Sequence, residues 1–145
     1  MIPTTVAVTR TVAAPAEALW RVLRTGADVD RILPDLIRTC TVQGEGPGAR
    51  RTCGTDQGPI EETLLAVDDA ARLFRYRIDA QSMMPVADYT GAIHVVELGP
   101  GRAQVLWFAS FQLTTAGAEE GVRQALTGLF TSGIDGLAAL ALEVA

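Results

Sequence analysis

Val and Thr dominate the stretch from Thr4 to Ala13, the composition of an opening strand. Pro15 then suits the first turn of a helix, where its missing N–H costs nothing. That helix puts Ala16, Leu19, Trp20 and Leu23 on one face and ends at Gly26. A second short helix is expected over Asp28 to Leu33, with Asp28 as its N-cap and Pro34 as its stop. From Leu36 onward the hydrophobic period falls to two and glycine supplies the punctuation. Strands are expected at Ile37–Gln43, Gly48–Thr55, Ile60–Val67, Leu73–Asp79, Asp88–Leu98 and Arg102–Leu113. Short turns join them, which predicts an antiparallel meander. From Ala118 to Val144 apolar residues recur at Val122, Leu126, Leu129, Leu137 and Leu140, the spacing of one long helix with an apolar stripe.

The expected fold class is therefore α+β: a curved seven-stranded antiparallel sheet around a long C-terminal helix, with two short helices after the first strand. Only the last helix is long enough to cover the concave apolar face. Gly121, Gly128, Gly133 and Gly136 weaken it by up to about 1 kcal/mol each relative to alanine. They serve either to leave room between helix and sheet or to let the two approach closely.

Composition narrows the chemistry. A chain of 145 residues has the length of one domain, taken as 1–145. With 48% hydrophobic and 20% charged residues, it reads as a globular protein and not a disordered one. The net charge of -5 argues against nucleic acid as a partner. All 12 cationic side chains are arginine, which excludes Schiff-base lysines and Walker-type phosphate lysines. One histidine, His94, and two thiols, Cys40 and Cys53, are too few for a zinc cluster, so no metal site is expected. The glycine-rich turns GEGPG and LGPGR precede no helix and are not dinucleotide loops. No signal-like start and no run of about 20 apolar residues stand out, which predicts a cytoplasmic protein without membrane insertion. A turn at Gly44–Gly48 would set Cys40 nearly opposite Cys53, as two packed thiols or a strained cross-strand disulfide.

The runs GPGARRTC, PIEETLLAVDDAARLFRYRI, MPVADYTGAIHVVE and VLWFASF resemble the SRPBCC superfamily, and within it the bacterial polyketide cyclase/dehydrase group of helix-grip proteins. The resemblance runs from AAPAEALW to GLAAL. It implies a large internal cavity for a hydrophobic small molecule, and no single reaction. Ketosteroid-isomerase-like barrels begin with helices, so the order of elements argues against them. By the resemblance Glu62 matches the glutamate of an E-x-L…D pattern, and Arg51 the arginine that follows a G-x-G turn.

Alternation chooses the side chains that face such a cavity. On the fourth strand Ile60, Glu62, Leu64 and Ala66 share a face; on the next, Phe74, Tyr76 and Ile78 point inward. The sixth strand offers Tyr89, Gly91, Ile93 and Val95, and the seventh Val105, Trp107, Ala109 and Phe111. Leu129 and Gly133 face them from the last helix. If Arg51 points inward it can meet Glu62 across neighbouring strands, either as a structural ion pair or as an anchor for a carboxylate, phenolate or enolate oxygen. Glu62 is a candidate general base. Tyr76 and Tyr89 are candidate hydrogen-bond donors to an oxyanion, or wall residues. Asp88 is a second acid or a cap for the adjoining QSMM loop. His94 falls on the outward face unless a bulge near Gly91 reverses it. The entrance is expected at the GTDQGP turn, the QSMMPV loop and the start of the last helix, with Met83 and Met84 as an adaptable lid or as core filler.

Three functions fit these residues. The first is a cofactor-independent cyclase or dehydratase acting on a polyketide-like substrate, by orientation and exclusion of water. The second is a carrier or sensor of a lipid or hydrophobic metabolite. The third, with the interior collapsed, is an interaction module. A homodimer is compatible with each.

Overall fold

The computed structural model describes residues 2–143. In chain order the elements are β1 (Thr4–Val12), α1 (Ala16–Leu23), α2 (Val29–Ile32), β2 (Thr39–Gln43), β3 (Arg50–Thr55), β4 (Gly58–Asp68), β5 (Leu73–Ala80), β6 (Val86–Gly99), β7 (Arg102–Leu113) and α3 (Glu119–Glu143). The last helix's expected end at Val144 lies outside the described residues. Strands β2 to β7 form the expected antiparallel meander, and β1 closes against β7, so the sheet runs β1-β7-β6-β5-β4-β3-β2. The two short helices bridge the sheet from one edge to the other.

α3 packs against β1 and β7 of the sheet and against α1 and α2. By length and composition it could cross a membrane, yet its stripe of Val122, Leu126, Phe130, Ile134, Leu137 and Leu140 is buried in this fold. Burial of that stripe holds the helix, since each large apolar side chain contributes about 1.5–3 kcal/mol. α1 buries both flanks of its inner face, and Trp20 Nε1 donates to Asp69 Oδ1 at 2.8 Å across to the β4–β5 turn.

The inward faces of β5, β6 and β7 follow the alternation read from the sequence: Phe74, Tyr76, Tyr89, Ile93, Val105 and Trp107 are all buried. On β4 the pattern slips. The pairing register with β5 shifts between Leu64 and Ala66, so Val67 lies opposite Phe74 and packs on the core in place of Ala66. A second irregularity, between Ala87 and Thr90 of β6, precedes Gly91 and leaves Tyr89 inward. His94 remains outward, with Nε2 3.0 Å from the Ala71 carbonyl.

The α3 glycines divide into two pairs. A Cβ on Gly133 would overlap the Trp107 ring, and one on Gly136 would overlap the Ile32 carbonyl. Gly121 and Gly128 have nothing near them. The inner pair therefore permits close approach and leaves no space.

Candidate functional site: an apolar cavity with a polar pole

Between the concave sheet, α1, α2 and α3 lies a cavity of about 90 Å³. Its walls are mostly apolar: Ile78 and Ile93 from the sheet, Leu126, Leu129 and Phe130 from α3, and Ile32 from α2. Phe130 stacks on Trp107 with ring centroids 5.2 Å apart. Pockets that enclose drug-sized ligands usually measure about 300–1,000 Å³, so this interior suits a molecule of about one ring.

The polar pole is built on neighbouring strands. Arg51 and Glu62 are directly opposite in the β3–β4 register. Arg51 Nε donates to Glu62 Oε1 at 2.8 Å and Nη2 to Oε2 at 3.0 Å, a bidentate pair. Both residues are buried, at 5% and 6% exposure. Nη1 donates to the Gly26 carbonyl at 3.0 Å, which ties the end of the α1 segment to the sheet. Gly26 has φ +69°, and a Cβ there would press on Leu64 and Phe74, so glycine is what lets the chain pass this close. The guanidinium lies 5.6 Å from the Phe74 ring centre and 5.3 Å from that of Tyr76. Burial alone would lower the Arg51 pKa, but the Glu62 charge and hydrogen bonds outweigh it, and the pKa is raised. Arg51 is permanently charged, and Glu62 balances it.

Beside this pair, Trp107 Nε1 donates to the Tyr76 hydroxyl at 3.2 Å, and the Tyr76 and Tyr89 hydroxyl oxygens are 3.4 Å apart. Burial first, with the Glu62 charge adding to it, raises the Tyr76 pKa; burial again, with Tyr76 beside it, raises that of Tyr89 well above the ordinary value. Both phenols stay neutral. One hydrogen bond between two hydroxyls uses only one of their hydrogens. Whichever tyrosine donates, the other hydroxyl hydrogen has no acceptor among the described residues. Arg51 likewise uses three of its N–H groups on Glu62 and Gly26, out of the five a guanidinium carries. The pole has hydrogens to donate and no net charge.

Of the residues expected at the site, Glu62, Arg51, Tyr76, Tyr89, Trp107, Phe74, Ile78, Ile93, Met84 and Leu129 line the cavity together. Three do not. Phe111 stands behind Tyr89, stacked on it at 6.0 Å, because alternation reports the face of a strand and not the depth along it. Gly133 is covered by Trp107. Asp88 sits exposed in the β6 bulge with φ +53°, off the cavity wall.

Asp88 does not cap the loop; Gln81 does. Its Oε1 accepts from the backbone N–H of Met83 at 2.7 Å and of Met84 at 2.9 Å, and its Nε2 donates to the Met84 carbonyl at 2.9 Å. Sequence reasoning missed Gln81, although a glutamine ahead of a tight loop is the kind of side chain that can bond a turn's backbone. The sequence set Asp28 at the start of α2 but did not show that it lines the cavity, where it is half-buried with its carboxylate 3.9 Å from Arg31. Outside the cavity lies a surface groove of about 740 Å³ between α2, the β3–β4 turn, the Met83–Met84 loop and α3. Ile32, Leu33, Leu36, Met83, Met84, Leu126 and Leu129 line both spaces and form the partition between them. Among the described residues, no group of three or more His, Cys, Asp or Glu side chains could hold a metal ion.

No functionally curated protein matches the chain in sequence. Solved structures do. Norcoclaurine synthase from Thalictrum flavum, in complex with dopamine and hydroxybenzaldehyde, superposes with a TM-score of 0.79 at 19% identity, over 98% of this chain and 88% of that one. The Zhui aromatase/cyclase from Streptomyces sp. R1128 gives 0.76 at 21% identity, over 96% and 93%. A Thermobifida fusca protein solved by NMR gives 0.79 at 26% identity, over 94% and 92%. These establish the helix-grip fold. The sequence profile described as "Polyketide cyclase / dehydrase and lipid transport" matches residues 3–142. With nearly the whole chain covered, the protein belongs to the polyketide cyclase/dehydrase and lipid transport family, a hydrophobic-ligand-binding member of the SRPBCC superfamily.

Proposed function

We propose that the cavity binds a neutral, ring-sized hydrophobic molecule carrying a hydrogen-bond-accepting oxygen, with that oxygen set against the Tyr76–Tyr89 pair. The observation that carries this reading is the hydroxyl hydrogen left over in a cavity whose buried charges cancel. A ligand carbonyl satisfies that hydrogen. A carboxylate would lose its hydration shell and meet no net positive charge, because Arg51 already belongs to Glu62. Of the two roles open to Arg51, this reading takes the structural ion pair with Glu62 and leaves the cavity a preference for a neutral acceptor.

The reading is tested by calorimetry with acetophenone, ethylbenzene and benzoate, which share a ring and differ in the polar group. Acetophenone should bind about 5–10-fold more tightly than ethylbenzene, the worth of one net hydrogen bond of about 1 kcal/mol. Benzoate should bind least. Tyr89→Phe or Tyr76→Phe should erase most of the difference between ketone and hydrocarbon. Tightest binding of benzoate, or equal binding of the first two, overturns the proposal.

A second reading adds chemistry to the same pose and is favoured by the family and by the synthase and cyclase among its structural neighbours. A tyrosine hydroxyl against a carbonyl oxygen stabilises an enolate as it forms. The base that removes the α-proton would be Asp28, since both Glu62 oxygens are engaged by Arg51 and Asp28 is the cavity-lining carboxylate outside that pair. Heptane-2,6-dione, which closes to a methylcyclohexenone with loss of water, is a suitable probe. Catalysed closure should fall about 100-fold in Asp28→Asn. Closure no faster than in buffer leaves the protein a carrier or sensor.

A further inference from the structure

Cys40 and Cys53 are directly opposite in the β2–β3 register, and their sulfurs are 3.0 Å apart. Cys53 is buried at 1% exposure and lines the cavity, whereas Cys40 is half-buried on β2, the last strand of the sheet. We propose that these thiols are a site of reversible oxidation, closing a cross-strand disulfide at the cavity wall when met by a small disulfide such as oxidised glutathione. The inference rests on the thiols alone and does not depend on which ligand the cavity takes.

A disulfide bond measures about 2.05 Å, so the sulfurs must approach by about 1 Å. β2 can supply that shift because it pairs on one side only. The two thiols are also unequal. The hydrogen bond from Cys53 foremost, with the Arg51 charge adding to it against the effect of burial, holds the Cys40 thiol below the usual range. The same hydrogen bond, burial and the Glu62 charge push Cys53 up. Cys40 is also the sulfur that a small disulfide can reach, whereas Cys53 is buried, so Cys40 is the attacking thiol and Cys53 the resolving one.

Cys40 Sγ attacks one sulfur of oxidised glutathione, forming a mixed disulfide and releasing one glutathione thiolate. Cys53 Sγ then attacks Cys40 Sγ, expelling the second glutathione, which takes up the Cys53 proton. One disulfide is reduced as another forms, so electrons balance and no further oxidant is needed. The product removes the Cys53 S–H, which lies 3.8 Å from Glu62 Oε1, and fixes the edge strand to β3 beside the polar pole.

The test is incubation of the native protein with oxidised glutathione, acid quenching, alkylation and peptide mapping. Trypsin cuts after Arg38, Arg50, Arg51 and Arg72, placing Cys40 in peptide 39–50 and Cys53 in peptide 52–72. The expected result is loss of both alkylatable thiols, the two peptides joined within one chain, and reversal by dithiothreitol. Cys53→Ser should stop at a stable glutathione adduct on Cys40. In Cys40→Ser the buried Cys53 should react at least about tenfold more slowly than Cys40 does in the unaltered protein. Should either variant fail to fold, the mapping of the unaltered protein decides. Two free thiols after incubation, a persistent adduct on Cys40 with Cys53 still free, or cross-links only between chains would overturn the proposal.

Discussion

An arginine at 5% exposure is held in the interior by its partner, and the pair invites a comparison of single with double replacement. Arg51→Met strands the Glu62 carboxylate and should cost about 3–5 kcal/mol in denaturant unfolding. Arg51→Met combined with Glu62→Leu removes both charges and should recover most of that loss. A double variant as unstable as the single one would show that the pair does more than cancel charge. Tyr76 and Tyr89 allow a second check, since they are the only tyrosines in the sequence. Both pKa values are raised, burial being the first cause. A raised pKa contributes stability that is complete below the unfolded value of about 10 and is lost as pH rises through the folded values. Native protein at about pH 10 should therefore show little tyrosinate absorbance, and the signal should rise together with unfolding. Half-ionised tyrosine in the folded protein at that pH would contradict the buried pair.

α3 separates two uses of glycine that its sequence does not distinguish. Gly121→Ala and Gly128→Ala should each stabilise the protein by up to about 1 kcal/mol, as expected where nothing opposes a methyl group. Gly133→Ala and Gly136→Ala should instead destabilise it, because the methyl groups meet the Trp107 ring and the Ile32 carbonyl. Thermal unfolding of the four variants reads this directly, and a stabilising Gly133→Ala would mean that the helix stands off the sheet. The strands show where sequence reading succeeds. Faces could be counted along β5, β6 and β7 because the period of two holds over their inward residues. The count failed at the β4 irregularity after Leu64, which no glycine or proline announces. Phe111 had the right face and the wrong depth, and Asp88 was displaced by the β6 bulge. Arg51 and Glu62 came forward through the family resemblance, and it is the β3–β4 register that sets them directly opposite one another.

At the scale of the molecule, the inner cavity and the outer groove are separated by a few apolar side chains, and those side chains set the size of ligand accepted. Met84→Ala should open the partition, so that a longer neutral ketone such as 4-phenylbutan-2-one gains affinity over acetophenone by about fivefold. Unchanged preference in isothermal titration would place the size limit elsewhere. Both indole N–H groups of the chain report on this arrangement from opposite sides. Trp107 Nε1 bonds Tyr76 at the polar pole, and Trp20 Nε1 bonds Asp69 outside it. The most direct measurement is an NMR titration of the two indole N–H resonances with acetophenone. A ketone seated against the tyrosine pair should move the Trp107 signal saturably, with the affinity found by calorimetry, and leave that of Trp20 in place. Saturable binding that leaves the Trp107 signal unmoved would contradict the central claim and put the ligand outside the cavity.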